Sequence, residues 1–206
     1  MDISEKKFLC AVFFLALTGG MIGFRIATST NKPTSKTIQN NTLRKLQIKP
    51  SELFQIQKNN KPVLIEFIDY ECPPCKIINR KQLPKLIHDK NLLLIIKNYP
   101  LKIHPHAFEA AVCSEFAKSE KMFDSFHNKL LESQSLSFES INKLATDLKI
   151  KRDPIFREKM ESNVENDYKL AQRLGLPGTP SFVLCKPDGT VWYIPDIFEQ
   201  IDLVLK

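Results

Sequence analysis

Two cysteines separated by two residues, Cys72-Pro73-Pro74-Cys75, are the part of this 206-residue chain best suited to chemistry. The spacing fits half of a zinc site or a pair of thiols that cycles with a disulfide. A zinc site needs two further ligands, and Cys113, Cys185, His104, His106 and His127 supply neither a second C-x-x-C nor an H-x-x-x-H. The flanking residues favour the redox reading. The preceding run PVLIEFIDY (62–70) is β-branched and aromatic and predicts a strand, whereas KIINRKQLPKLIHD (76–89) predicts a helix. Pro73 and Pro74 suit the first helical turn, where no amide hydrogen is called for. Strand, cysteines and helix in that order put Cys72 at a helix N-terminus, whose partial positive charge and free amides lower a thiol's pKa below its free value of about 8.5. Cys72 is therefore read as the exposed nucleophile and Cys75 as the resolving thiol.

The remaining elements must hold that pair in place. Pro84 should kink or interrupt the helix that follows the cysteines. LLLIIK (92–97) predicts a second strand, its unbroken apolar character suiting a central position covered on both faces. Helical patterns then run over 106–118, 121–132, 138–148 and 154–174, the last with Asp153 as N-cap, Pro154 in the first turn and Gly175 to end it. GLPGTPSFVLC (175–185) reads as a turn and a strand, KPDGT as a hairpin turn, VWYI (191–194) as a strand, and 196–205 as an amphipathic helix. This order describes an α/β sheet with a helical insertion. Phe108, Phe116, Phe123 and Phe126, at near-helical intervals, read as core packing. Cys113 and Cys185 read as small hydrophobes, with a bridge between them left open, and His104 and His106 as loop and helix-start residues rather than ligands.

Composition narrows the class further. With 43% hydrophobic and 26% charged residues, and 6 Gly against 13 Pro, the chain is globular and neither collagenous, disordered nor multi-pass. The net charge of +7 is scattered in pairs such as Arg80-Lys81 and Lys151-Arg152, without an aromatic-studded basic stripe, which argues against a nucleic-acid site. Phe8 to Phe24 carries no charge and lies between Lys6-Lys7 and Arg25. It is the short end of a membrane span and predicts an N-terminal anchor over 1–27, with a cleavable signal segment as the alternative. Either one sends the domain to the extracytoplasmic side, membrane-anchored or, after cleavage, periplasmic or secreted. Residues 28–50, rich in Thr, Asn, Lys and Ser, read as a polar tether, and 51–206 as one domain of about 155 residues, enough for one core.

The segment IEFIDYECPPCK (65–76) resembles the active-site phrase F-x-D-Y-x-C-P-x-C of the DsbA-like branch of the thioredoxin superfamily. Tyr99-Pro100-Leu101 with His104-Pro105-His106-Ala107 and Ala110-Ala111, then Phe123, His127 and Leu130, is similar to the opening of that branch's inserted helices. The run from Gly175 to Phe182 is similar to the family's G-V-x-G-T-P-T-F, whose proline is cis and faces the cysteines. The likeness runs from about Ser51 to the C-terminus. It implies a thioredoxin fold with a helical subdomain inserted over about 104–174. It also implies an extracytoplasmic thiol-disulfide oxidoreductase that exchanges disulfides with secreted or envelope proteins, as an oxidase reoxidised by a quinone-linked membrane partner. No cofactor is implied beyond the Cys72–Cys75 disulfide. A reductase or isomerase recycled by an electron donor, and a tethered chaperone or binding module without turnover, are the alternatives. Pro73, Pro74, Thr179 and Pro180 would border the substrate cleft. Glu66 stands where the family often carries a buried acid and would shuttle the Cys75 proton, the competing reading being a surface glutamate on an edge. Two departures bear on redox poise: Pro-Pro offers Cys72 no amide hydrogen and lacks the histidine of C-P-H-C enzymes, and Glu71 adds a negative neighbour. Cys72 is thus expected to be less acidic, and the protein less oxidising, than a C-P-H-C enzyme.

Overall fold

The computed structural model describes residues 36–37, 60–188 and 190–206. The span 8–24 and most of the tether lie outside the described residues. Among those described, no helix is long and apolar enough to cross a membrane.

The fold grows from the alternation in β2 (Val63–Ile68), whose six residues are all buried. In an extended chain successive side chains face opposite ways, so Val63, Ile65 and Phe67 share one face and Leu64, Glu66 and Ile68 the other. The first face packs with Val183, Cys185, Leu170 and Ala171. On the second, Leu64 joins Leu83, Phe182, Leu184, Ile197 and Ile201, and Ile68 joins Cys72, Cys75 and the helical core. Each fully buried aliphatic side chain contributes about 1.5–3 kcal/mol.

After β2 come α1 (Pro73–Lys81), α2 (Leu83–Asp89) and β3 (Leu93–Asn98). Pro84 does interrupt the helix: it has no amide hydrogen for the carbonyl four residues back, α1 stops at Gln82, and α2 restarts with the proline in its first turn. The insertion between β3 and β4 consists of α3 (Ala107–Ser119), α4 (Phe123–Glu132), α5 (Phe138–Asp147) and α6 (Pro154–Arg173). The Asp153 carboxylate caps α6 by accepting from the Ile155 amide, and Gly175, at φ 67°, ends it. The chain closes with β4 (Ser181–Cys185), β5 (Thr190–Ile194) and α7 (Ile197–Leu205), which Asp196 caps. Within the stretch read as a tether, Lys36–Thr37 forms β1, paired antiparallel with Thr190 and Val191 of β5.

The sheet runs β1-β5-β4-β2-β3, with β2 parallel to β3 and antiparallel to β4. The expectation of a central position for the 92–97 strand is corrected: β3 is an edge. Its apolar character has another cause. The Leu93 amide donates to the Pro62 carbonyl just before β2 (3.0 Å) and the Tyr99 amide to the Ile68 carbonyl at its end (2.8 Å), so the amides of Leu94, Ile96 and Asn98 face outward. Asp167 of α6 accepts from the Asn98 amide (3.1 Å) and the Lys97 side chain (2.9 Å), and Lys118 of α3 donates to the Ile96 carbonyl (3.4 Å). Side chains of the inserted helices thus cover the C-terminal half of an edge that a further strand would otherwise satisfy. Of the four phenylalanines, Phe116 and Phe126 are buried and Phe123 packs at the core margin, but Phe108 is 39% exposed and outside the core. Cys113 and Cys185 are free thiols in separate core clusters.

Candidate thiol-exchange site

Cys72 is the N-cap residue of α1, with Pro73 and Pro74 exposed in the first turn. Its amide donates to the Asp69 carbonyl (3.2 Å), and its thiol donates to the Thr179 carbonyl (3.2 Å). That second bond joins positions far apart in sequence and places the cis Thr179–Pro180 peptide against the sulfur. Cys75, one turn into α1, is wholly buried, and the expectation of an exposed Cys72 is corrected: Cys72 is 5% exposed, its thiol turned onto the Thr179 carbonyl. The two thiols differ sharply. Hydrogen bonding from the Cys75 thiol, more than any other influence, lowers Cys72 to about 6; Thr179 and the Cys75 amide assist, while burial and the Asp69 charge oppose. The Thr179 hydroxyl has no partner in the thiol state and is available to the thiolate. Cys75 moves the other way, raised by burial first and then by sharing its proton with Cys72. Pro-Pro does withhold two amides, yet Cys75 supplies both an amide and a thiol donor.

Glu66 lies beneath the pair with no exposure, on an inner strand and not at a surface edge. Asn79 of α1 donates through one side-chain nitrogen to Glu66 Oε1 (2.6 Å) and to the Cys75 carbonyl (3.0 Å), while Glu66 Oε2 has no partner. Burial raises the Glu66 carboxyl to about 8; the Asn79 bond opposes this and a charge on Cys72 adds to it. A carboxyl that titrates near neutrality can give or take a proton there.

The segment entering Cys72 is tied to the turn after β3. Asp69, buried, accepts from the Glu71 amide (2.7 Å), the Leu101 amide (2.7 Å) and His104 Nδ1 (2.8 Å). Glu71 accepts from the His106 amide (2.6 Å) and His106 Nδ1 (3.0 Å). The acid expected to burden Cys72, Glu71, is thus engaged with His106, and Asp69 is an acid whose charge does bear on the thiolate. Tyr70, between them, is buried and its hydroxyl meets His127 Nδ1 (3.0 Å). Sequence reasoning assigned no role to Asn79 or Asp69 and read His104 and His106 as loop and helix-start residues only. Two signals were available: Asn79 stands one helical turn after Cys75, and Asp69 and Glu71 share with His104 and His106 a spacing of two.

Among the described residues, no group of three or more His, Cys, Asp or Glu side chains is placed to hold a metal ion. A thiol pair at a helix N-terminus, a facing cis proline and a β-α-β, helices, β-β-α order define a thioredoxin-like α/β protein. The sequence matches the thioredoxin family over residues 52–189, and the chain belongs to that family. Similar solved structures include the thiol-disulfide exchange protein α-DsbA2 from Wolbachia pipientis, at 24% identity over 80% of this chain and 95% of that one, with a TM-score of 0.57. The catalytic domain of Proteus mirabilis ScsC is 25% identical over 72% of this chain and 83% of that one, with a TM-score of 0.57. A periplasmic thioredoxin-like protein from Salmonella enterica serovar Typhimurium is 22% identical over 82% of this chain and 97% of that one, with a TM-score of 0.58. Comparison with curated proteins gives no match.

Proposed function

We propose that this protein is an extracytoplasmic thiol-disulfide oxidoreductase that introduces disulfides into secreted or envelope proteins through Cys72 and Cys75. The observation that carries the reading is the asymmetry of the pair: a thiolate is favoured at Cys72 and a thiol at buried Cys75. In the oxidised protein a substrate thiolate attacks Cys72 Sγ, breaks the Cys72–Cys75 bond and forms a mixed disulfide. Cys75 leaves with the electron pair and takes a proton, for which Glu66, protonated below about 8, is the donor. The substrate's second thiolate then attacks its own sulfur in the mixed disulfide and releases Cys72 as the stabilised thiolate. The substrate has lost two electrons and the pair has gained them, so each cycle requires reoxidation, by a membrane redox partner in this reading. Pro73, Pro74, Thr179 and Pro180 border the place where the substrate sulfur arrives. The N-terminal segment would keep the domain at the membrane.

A low-pKa Cys72 makes the reduced form the stable one, which favours oxidation of substrates. The test is the equilibrium reduction potential of the pair against glutathione. A value above about −180 mV supports the oxidase, whereas one near about −270 mV makes the protein a reductase that draws on an electron donor. A tethered chaperone would keep its cellular function as Cys72→Ser, and the oxidase loses it.

A further inference from the structure

The double tie between the segment at 69–71 and the turn at 101–106 is more than the fold needs to deliver Cys72 to a helix N-terminus. Asp69, whose carbonyl accepts from the Cys72 amide (3.2 Å), carries a negative charge that bears on the Cys72 thiolate, and it is buried where water screens it poorly. Three donors converge on its two oxygens, and only one of them is a side chain, His104. The backbone donors come from the local turn at Glu71 and from Leu101. His104 is a fifth exposed, and its open side lines a cavity of about 370 Å³ with Phe108, Tyr168, Lys102 and Glu165. Its Nδ1 meets only Asp69.

We infer that His104 is a positioning residue of the thiol site, which acts on Cys72 through Asp69 by holding that carboxylate against the 101–106 turn and dispersing its charge. The inference rests on the thiol-exchange reading for its significance. It requires only that Cys72 can be titrated. His106 does not share the role, because its partner Glu71 is part-exposed and both of its carboxylate oxygens are taken up by the amide and ring of His106 at the start of α3.

The experiment is the pH profile of Cys72 alkylation by iodoacetamide in the reduced full chain, read on the Cys72 peptide by mass spectrometry. His104→Ala should raise the Cys72 pKa by about half a unit. His104→Asn, which keeps an N–H donor near the place of Nδ1, should restore at least half of that shift. In an Asp69→Asn background, His104→Ala should produce no further shift. An unchanged profile in His104→Ala, an equal shift in both backgrounds, or an Asn variant as impaired as Ala would each overturn the inference. A role confined to stability would lower the melting temperature without moving the profile. Failure of the pair to form a reversible disulfide would refute the exchange chemistry and still leave this titration readable.

Discussion

The Asn79 side chain reaches Glu66 Oε1 at 2.6 Å and the Cys75 carbonyl at 3.0 Å from the same nitrogen, so one amide ties the buried acid to the helix that carries both thiols. Strand parity puts Glu66 on the face of β2 covered by α1, and the helical repeat brings Asn79 under Cys75. The acid is held close to the pair by an uncharged group, with one oxygen left free to exchange a proton.

That arrangement makes stability depend on pH. The Glu66 carboxyl sits at about 8 in the folded protein against 4.5 as its ordinary value, so the folded state holds the proton more firmly than the unfolded state. Its stabilising effect is therefore complete below about pH 4.5 and is lost as pH rises toward and through about pH 8. Glu66→Gln should match the wild type near pH 4 and exceed it at about pH 9, by up to about 5 kcal/mol if the whole shift is realised. Urea unfolding across this range checks it, and a difference that stays constant with pH would count against a buried protonated acid.

The same residue has a kinetic signature. If Glu66 serves the Cys75 proton, Glu66→Gln should leave alkylation of Cys72 nearly unchanged while slowing substrate oxidation about 100-fold, the lower end of what a positioned proton donor contributes. Cys75→Ser leaves Cys72 as the one exchanging thiol of the site, so a single-cysteine peptide supplied as its disulfide with a small thiol should be attacked by Cys72, releasing the small thiol and accumulating the Cys72–peptide mixed disulfide, visible as a reducible adduct. Absence of that adduct, with Cys72 still alkylated, would argue against Cys72 as the exchanging sulfur.

Much of the architecture was legible because local chemistry and tertiary packing agree. The Asp153–Pro154 start and Gly175 stop of α6 and the Pro84 break each rest on a backbone rule that no distant residue overrides. The place of β3 was not legible. An apolar run on an edge looks the same in sequence as one in the middle, because the groups that cover this edge, Asp167 and Lys118, belong to helices distant along the chain. The thiol pair was visible as a motif, but the donors that distinguish its two members depend on three-dimensional contacts. Asp69 and His104 both sit in family-like motifs, and the matched spacing of Asp69 and Glu71 with His104 and His106 hints at a pairing, yet only the crossover of the chain through β3 brings the two segments together.

Helix ends offer a stability prediction independent of the chemistry. Lys121 and Lys149 adopt left-handed conformations, φ 60° and 55°, where the chain leaves α3 and α5. The Met122 amide closes back to the Ala117 carbonyl (2.8 Å) and the Ile150 amide to the Ala145 carbonyl (2.9 Å), the bonds of a Schellman stop. A β-carbon is strained there and glycine is not, so Lys121→Gly should stabilise the protein by about 0.5–1 kcal/mol, less the greater freedom glycine has in the unfolded chain. Thermal unfolding at one pH decides it. A fall in melting temperature would mean that the Lys121 side chain contributes more than its backbone strain costs.

Redox poise turns on the second proline. Pro74 is exposed, so replacing it does not disturb the core, and it withholds from Cys72 both an amide hydrogen and a cationic side chain. Cys72 already sits near 6 because Cys75 supplies the donors, which leaves further stabilisation of its thiolate to come from position 74. Pro74→His should shift the Cys72 alkylation profile to lower pH and raise the reduction potential by about 30 mV or more, equivalent to about 1.4 kcal/mol in favour of the reduced pair. Both quantities must move together, since stabilising the thiolate selectively stabilises the reduced protein. A lower Cys72 pKa with an unchanged potential would show that the disulfide form is stabilised equally by the new side chain, and would assign the poise of this protein to strain or packing around the oxidised pair instead of to the charge on Cys72.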